Sequence, residues 1–385
     1  MRNGDHQIKS IEHLKKVALL AYGGLAMPKE REEAWRHTNI ERLSLDKFLP
    51  LGAPHITLSP LSEEAKGKGV IFCTMKEALS HHFGLFSSHY LKHVELKDKI
   101  IALNAAMWQD GAFLYVPKNA HLGEPLSAAF SSDKSAAMHN LVIVEEGAQV
   151  SYLEEYAFTG ENEMLSSCVT EVFAKNAARI NFHHLTRAQE KAIIFNHIRG
   201  DMRNDAQIKW AWGSFGGRIN RLHIDTHFNG QGSSSENLGI IIGRKKQHLD
   251  CTTNAYHNVA NTTNDMMING IMMDNSSSIY RGLIKIRKEA QGTNSYLSNH
   301  MLKLSEKALA NSIPALEIDA NEVKASHGAT VGQIDEEQIF YLRSRGLSLE
   351  ESERLIAEGF FEPIIHKMEN AGIQEKFRAA ILEVV

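Results

Sequence analysis

Ala148-Gln149-Val150-Ser151-Tyr152 returns as Ala178-Arg179-Ile180-Asn181-Phe182 and again as Ala206-Gln207-Ile208-Lys209-Trp210. The three segments share one form: small, polar, β-branched, polar, aromatic. Their starts lie 30 and 28 residues apart, and each follows a turn signal, at Gly147, Asn176 or Asn204-Asp205. Alternation with period two is a strand pattern. A unit returning every 20 to 50 residues or so marks stacked repeats, and with little helical texture inside the unit it reads as a β-solenoid. Val150, Ile180 and Ile208 are then expected to stack inside a β-helix in successive or near-successive coils. A two-sheet sandwich also gives short strands with regular turns and stands as the alternative.

Outward from the repeat, short alternating segments run from about Ile101 to Gln333, including Met266-Met267-Ile268 and Gly282-Leu283-Ile284-Lys285-Ile286. Ahead of them, Ile8, Ile11, Leu14, Val17 and Ala18 fall at helical spacing, and Gly23-Gly24 ends that run. Pro28, followed by acidic residues, suits a second helix start. The stretch from Ala53 to Leu96 is mixed, with a strand at Val70-Ile71-Phe72 and a helix from Met75 to His82. At the other end, Asp335 with Gln338 makes a capping-box pattern and Gly346 a stop. Ser348 with Glu351 repeats the device, with Leu355, Ile356 and Phe360 as apolar positions. Pro363 is expected to break that helix before a last one near Gln374 to Val384. The division is therefore 1–100 mixed helical, 101–333 solenoid core and 334–385 helical.

Composition narrows the function. The chain has 385 residues, 43% of them hydrophobic, enough for a large core, and a formal net charge of −4. A nucleic-acid surface is disfavoured, because phosphate binding relies on clustered Lys and Arg; Arg244-Lys245-Lys246 reads as a solvated loop. The apolar run Val17 to Ala21 is too short for a signal core or a membrane span. Cys73, Cys168 and Cys251 are few and scattered, which argues against a disulfide framework or a four-cysteine cluster site and for a reducing cytoplasm. The adjacent pairs His81-His82 and His183-His184 would point to opposite faces of a strand and could not share an ion. GSFGG at 213–217 lacks the lysine of a phosphate loop and reads as a turn.

At the far end of the repeats, Ala315-Leu316-Glu317-Ile318 reads as a strand leading into Lys324-Ala325-Ser326-His327-Gly328-Ala329-Thr330. One histidine thus sits where the β body meets the helical end. A lone histidine is more often a hydrogen-bonded structural residue than a ligand. The segment nonetheless resembles a motif of the SufB/SufD family of iron–sulfur cluster assembly scaffolds, which reads roughly KCSHGATVG. Further matching segments are Ala34-Trp35-Arg36-His37-Thr38, Asn104-Ala105-Ala106-Met107-Trp108, Ser278-Ile279-Tyr280-Arg281-Gly282 and Phe340-Tyr341-Leu342-Arg343-Ser344-Arg345-Gly346. The likeness is to the SufD branch more than the SufB branch. Asn299 stands where SufB carries its cluster-assembly cysteine, and Gly328 where SufB has a glutamate.

The resemblance implies a mainly β fold, a right-handed parallel β-helix core with an N-terminal helical region and a C-terminal helical appendage. It implies a scaffold rather than an enzyme, pairing with a SufB-like subunit and recruiting a SufC-like ATPase through the C-terminal helices, with Phe340, Tyr341, Arg343 and Arg345 as the candidate contacts. A homodimer in isolation is allowed. No stably bound cofactor is expected. His327 is the candidate iron or nascent-cluster ligand for a transient cluster at the SufB interface, since imidazole ligates iron in Rieske centres. Ala325 replaces the family cysteine and removes a thiolate from that position. The competing class is a secreted-type β-helix enzyme acting on polysaccharide, with Asp201 and Asp205 as its best carboxylate pair.

Overall fold

The computed structural model describes the backbone of residues 2–385 and the side chains of residues 11–385. From Ala112–Val116 to Lys324–Gln333 the strands alternate between two nine-stranded sheets, so each coil gives one strand to each sheet. Within a sheet, successive coils run parallel. The result is a parallel β-solenoid, and the sandwich reading falls.

The repeat is the stacking unit. Val150, Ile180 and Ile208 are register partners on Gln149–Phe158, Arg179–Ala188 and Gln207–Gly216, all buried. The aromatic positions stack likewise: ring centroids are 5.6 Å apart for Tyr152–Phe182 and 5.2 Å for Phe182–Trp210. A left-handed residue sets each turn, followed by a buried small one. Gly147 precedes Ala148, Ala177 precedes Ala178, and Asp205 precedes Ala206. The series continues as Gly232-Ser233, Asn261-Thr262 and Gly292-Thr293, where the small residue changes to Ser or Thr and the sequence likeness fades. At Gly232 a Cβ would lie 2.1 Å from Asp205 Oδ1, so a larger residue would have to displace that carboxylate in a left-handed conformation that glycine adopts most readily.

The two ends of the solenoid differ. At one end the short strands His55–Leu58 and Ile71–Thr74 add antiparallel to Leu126–Ser132 and Ala112–Val116 and finish the sheets. At the other, Leu309–Ile318 and Lys324–Gln333 end the two sheets, and no further strand lies beyond them among the described residues.

Several local readings need correction. The helix Arg2–Gly24 forms as expected (the side chain of Ile8 lies outside the described residues), but Pro28 opens no helix. Only a 3-10 turn forms, at Glu33–Trp35, because tertiary anchors set this backbone. Trp35 is buried with the Arg221 guanidinium 3.9 Å from its ring centre, and the Thr38 hydroxyl donates to Asp250 at 2.5 Å. The parallel solenoid strands start at Ala112 rather than near Ile101, since Lys99–Met107 is a helix capped by Asp98. Gly213-Ser214-Phe215 lie within a strand, and only Gly216 and Gly217 turn the chain. Met75–His81 does form a helix, with a Thr74–Glu77 capping box.

At the C-terminus, Asp335 caps the helix Glu336–Ser344 by accepting from the Glu337 N–H, and Ser348 and Glu351 form the expected box. Pro363 breaks nothing. It sits in the last turn of the continuous helix Leu349–Ile365, where its missing N–H costs one bond to the carbonyl of Gly359 and the helix ends two residues later. That helix buries Ala357, Phe361, Ile364 and Ile365, while Leu355 is left exposed, so the expected apolar face is rotated. Together with Ala371–Leu382 it shares an apolar core with Leu185, Phe215, Leu238 and Ile240 on the outer face of the sheet that ends at Lys324–Gln333. Lys367 seals the seam by pairing with Glu236 at 2.8 Å.

Candidate functional site

His327 lies on Lys324–Gln333 in register with Leu297. Leu297 belongs to the solenoid core, so His327 occupies an interior-facing position. Because no coil follows, the imidazole is exposed. No side-chain hydrogen bond holds it among the described residues, so it is not the hydrogen-bonded structural histidine that a lone histidine more often is. The mouth around it is apolar or small. Ala325 packs on the core, Asn299 lies buried beneath Ala329, and its amide donates to the Ile268 carbonyl at 3.0 Å.

The chain offers no thiolate to join that imidazole. Cys168 and Cys251 are buried inside the solenoid and burial pushes both thiols far up; Cys73 is pushed up to about 12, again by burial first. One imidazole supplies one ligand, whereas clusters are held by four. His327 is thus a single imidazole donor with no cysteine of this chain available beside it.

The edge itself is unprotected. Two ten-residue strands present unpaired backbone groups, Leu309 (60% exposed) and Val331 (47%) add apolar surface, and Tyr296 (45%) does so from the neighbouring strand. Long, apolar, uncovered edges invite strand pairing. Nearby, Glu336–Ser344 buries none of its residues. Phe340 and Tyr341 are 75% and 56% exposed, Arg343 and Arg345 are exposed, and the Arg345 guanidinium lies 5.2 Å from the Tyr341 ring centre. Aromatic and arginine side chains are the types enriched at protein–protein interfaces relative to the rest of a surface.

The other candidate sites dissolve. Asp201 lies within a strand rather than at a turn, with its carboxylate taken by Asn229, by Arg203 at 3.1 Å and by His93 at 3.6 Å; Asp205 is a turn residue. His183 and His184 do face opposite ways: His184 bonds Thr186 inside the solenoid, and His183 lies under the C-terminal helices near Glu369. Two matching segments, in contrast, meet. Arg281 donates to Asp250 Oδ1 at 2.6 Å, Thr38 donates to its Oδ2, and Arg221 bridges Oδ2 at 2.6 Å to the Ala34 carbonyl at 2.8 Å. Ala34–Thr38 and Ser278–Gly282 therefore form a clasp around one buried carboxylate, which explains them structurally.

Sequence reading missed a second cluster, His197, His223 and Asp225, whose ligand atoms all lie within 4.8 Å of one another. Its signal was His223-Ile224-Asp225-Thr226-His227, a period-two row that places three polar side chains on one face.

Residues 128–360 match the family "SUF system FeS cluster assembly, SufBD core domain", and residues 57–127 match "SufBD protein N-terminal region". "Iron-sulfur cluster assembly protein SufD" of Bacillus subtilis (strain 168) is 32% identical over 328 residues, covering 83% of this chain and 75% of the relative. "Iron-sulfur cluster assembly protein SufB" of the same organism is 27% identical over 399 residues, covering 94% and 85%. An "Iron-sulfur cluster assembly SufBD family protein" of Staphylococcus epidermidis is 29% identical over 313 residues, covering 80% and 67%. With its solenoid, its open last coil and these matches, the chain belongs to the SufB/SufD family of iron–sulfur cluster assembly proteins and is nearer in sequence to that SufD than to that SufB.

Proposed function

We propose that this chain is the SufD-type scaffold subunit of a cytoplasmic SUF complex. Its open coil pairs with a SufB-type subunit, and His327 contributes an imidazole to a transient iron–sulfur cluster, the cargo, at that seam. A SufC-type ATPase docks on Glu336–Ser344 through Phe340, Tyr341, Arg343 and Arg345. The observation that carries this reading is the pair of uncovered ten-residue edge strands with His327 between core-facing neighbours. Thiolates absent from this mouth would come from the SufB side, and the energy source from the ATPase. In isolation, the same edge would pair two copies of this chain.

The test is co-purification with SufB- and SufC-type partners, followed by iron and sulfide analysis. The double substitution Leu309→Arg with Val331→Arg places charge on the edge and should abolish pairing with SufB while leaving the monomer folded. Retention of the SufB-type subunit at wild-type stoichiometry would refute the edge as the interface.

A further inference from the structure

We propose that His197, His223 and Asp225 bind a divalent first-row transition ion, Fe2+ or Zn2+, on the outer face of the sheet that ends at Leu309–Ile318. The backbone dictates the constellation. His197 and His223 are register partners on the parallel neighbours Ala192–Met202 and Ile219–Phe228, so their rings lie side by side with centroids 4.9 Å apart. Asp225 follows His223 by two residues and therefore shares its face. Its Oδ1 lies 2.9 Å from His223 Nε2 and its Oδ2 3.9 Å from His197 Nε2. Metal bonds of about 2.0–2.2 Å separate neighbouring ligand atoms by roughly 3.0–3.4 Å, so small side-chain rotations close the site.

Two imidazoles and one carboxylate on one face are the donor set of non-haem Fe(II) sites and leave further positions open. The supporting shell is present: Asn254, on the next strand, donates to Asp225 Oδ1 at 2.9 Å and fixes the carboxylate. An entry path is present too. The His197, His223 and Asp225 side chains are 17%, 24% and 11% exposed, and a cavity of about 170 Å³ reaches both rings beneath Trp35 and Phe195. Arg199 and Arg221 oppose a cation here, although Asp250 already engages Arg221. That opposition points to an exchangeable ion rather than a permanent structural one.

The experiment uses the full, metal-stripped chain alone, so it stands apart from the proposed partners. Zn2+ is titrated calorimetrically, Fe2+ anaerobically, and Co2+ by its visible absorption. One equivalent should bind wild type. His223→Ala and Asp225→Asn should abolish saturable binding, and Asn254→Ala should weaken it about 10–100-fold. His327→Ala, on the other sheet, should leave it unchanged. Thermal melts of each variant control for folding, and an anomalous-diffraction peak between the three side chains in wild-type crystals needs no variant. Absence of stoichiometric binding to wild type overturns the proposal. So does binding that survives both ligand substitutions or disappears with His327→Ala.

Discussion

Leu297 and His327 face each other as register partners on neighbouring strands, yet Leu297 is fully buried and His327 is exposed. The same column of the solenoid thus changes from core to surface in one step, because stacking stops. Among the described residues no strand lies above His327, so this interior-facing side chain meets solvent instead of a further coil.

His327→Ala should therefore change the unfolding free energy of the isolated chain by no more than an ordinary surface substitution does, about ±0.5 kcal/mol, with little shift in melting temperature. The loss should appear only in the assembled complex, as lower iron per complex at unchanged subunit stoichiometry. Melting temperature, stoichiometry and iron measured on one sample decide this. Normal iron in a properly assembled mutant would sink the ligand role.

The aromatic ladder gives a stability prediction. Phe182 is buried between Tyr152 and Trp210, so Phe182→Ala opens a cavity that its stacked neighbours on both sides must line. The expected loss is about 3–5 kcal/mol, against about 0.5–1.5 kcal/mol for Ile180→Val in the same strand. Denaturant unfolding measures both. Equal, small losses would show that the coil collapses around the hole.

The clasp around Asp250 supplies another. Its carboxylate is fully buried and holds Arg221 and Arg281, whose side chains are 8% and 12% exposed. Asp250→Ala strands two guanidinium groups away from water, a loss of about 3–5 kcal/mol. Because Thr38 and the Ala34 carbonyl hang on the same network, protease cleavage between residues 28 and 50 should accelerate first. Uniform cleavage along the chain would show that the clasp does not pin this segment.

The solenoid was legible because its period is written in side chains that must stack, Val150 on Ile180 on Ile208. The turn column was less so. Ala177 takes the left-handed position that Asn176 seemed to claim, because backbone bonds between coils, such as Ala177 N–H to the Asn204 carbonyl at 2.8 Å, fix the register. Interior polar residues were invisible for a similar reason. Glu154 sits at an inward position and is fully buried, satisfied by Asn140 at 3.0 Å, Tyr156 at 2.9 Å and Thr170 at 3.0 Å, partners from three different strands. Local pattern cannot announce contacts made across the lumen. Of the site, the motif around His327 could be read in sequence. The openness of its coil and the His197–His223–Asp225 triangle exist only once strands are in register.

The last prediction concerns acid. His257 is fully buried, stacked on Phe228 with centroids 4.4 Å apart, and hydrogen-bonded to Thr262 at 2.7 Å and Ser295 at 3.2 Å. Burial lowers it from 6.5 to about 3. The unfolded chain therefore binds a proton that the folded chain refuses, and stability rises with pH across this interval. The contribution is complete above about pH 6.5 and is lost as pH falls toward 3, at up to ~1.4 kcal/mol per pH unit. His183, which burial lowers to about 4, acts in the same direction. His257→Gln should be less stable than wild type at pH 7, having lost its ring stack. Its unfolding free energy should nonetheless fall less steeply between about pH 6 and pH 4.5. Parallel slopes for mutant and wild type would mean that His257 takes up its proton in the folded state, and that acid unfolding starts elsewhere.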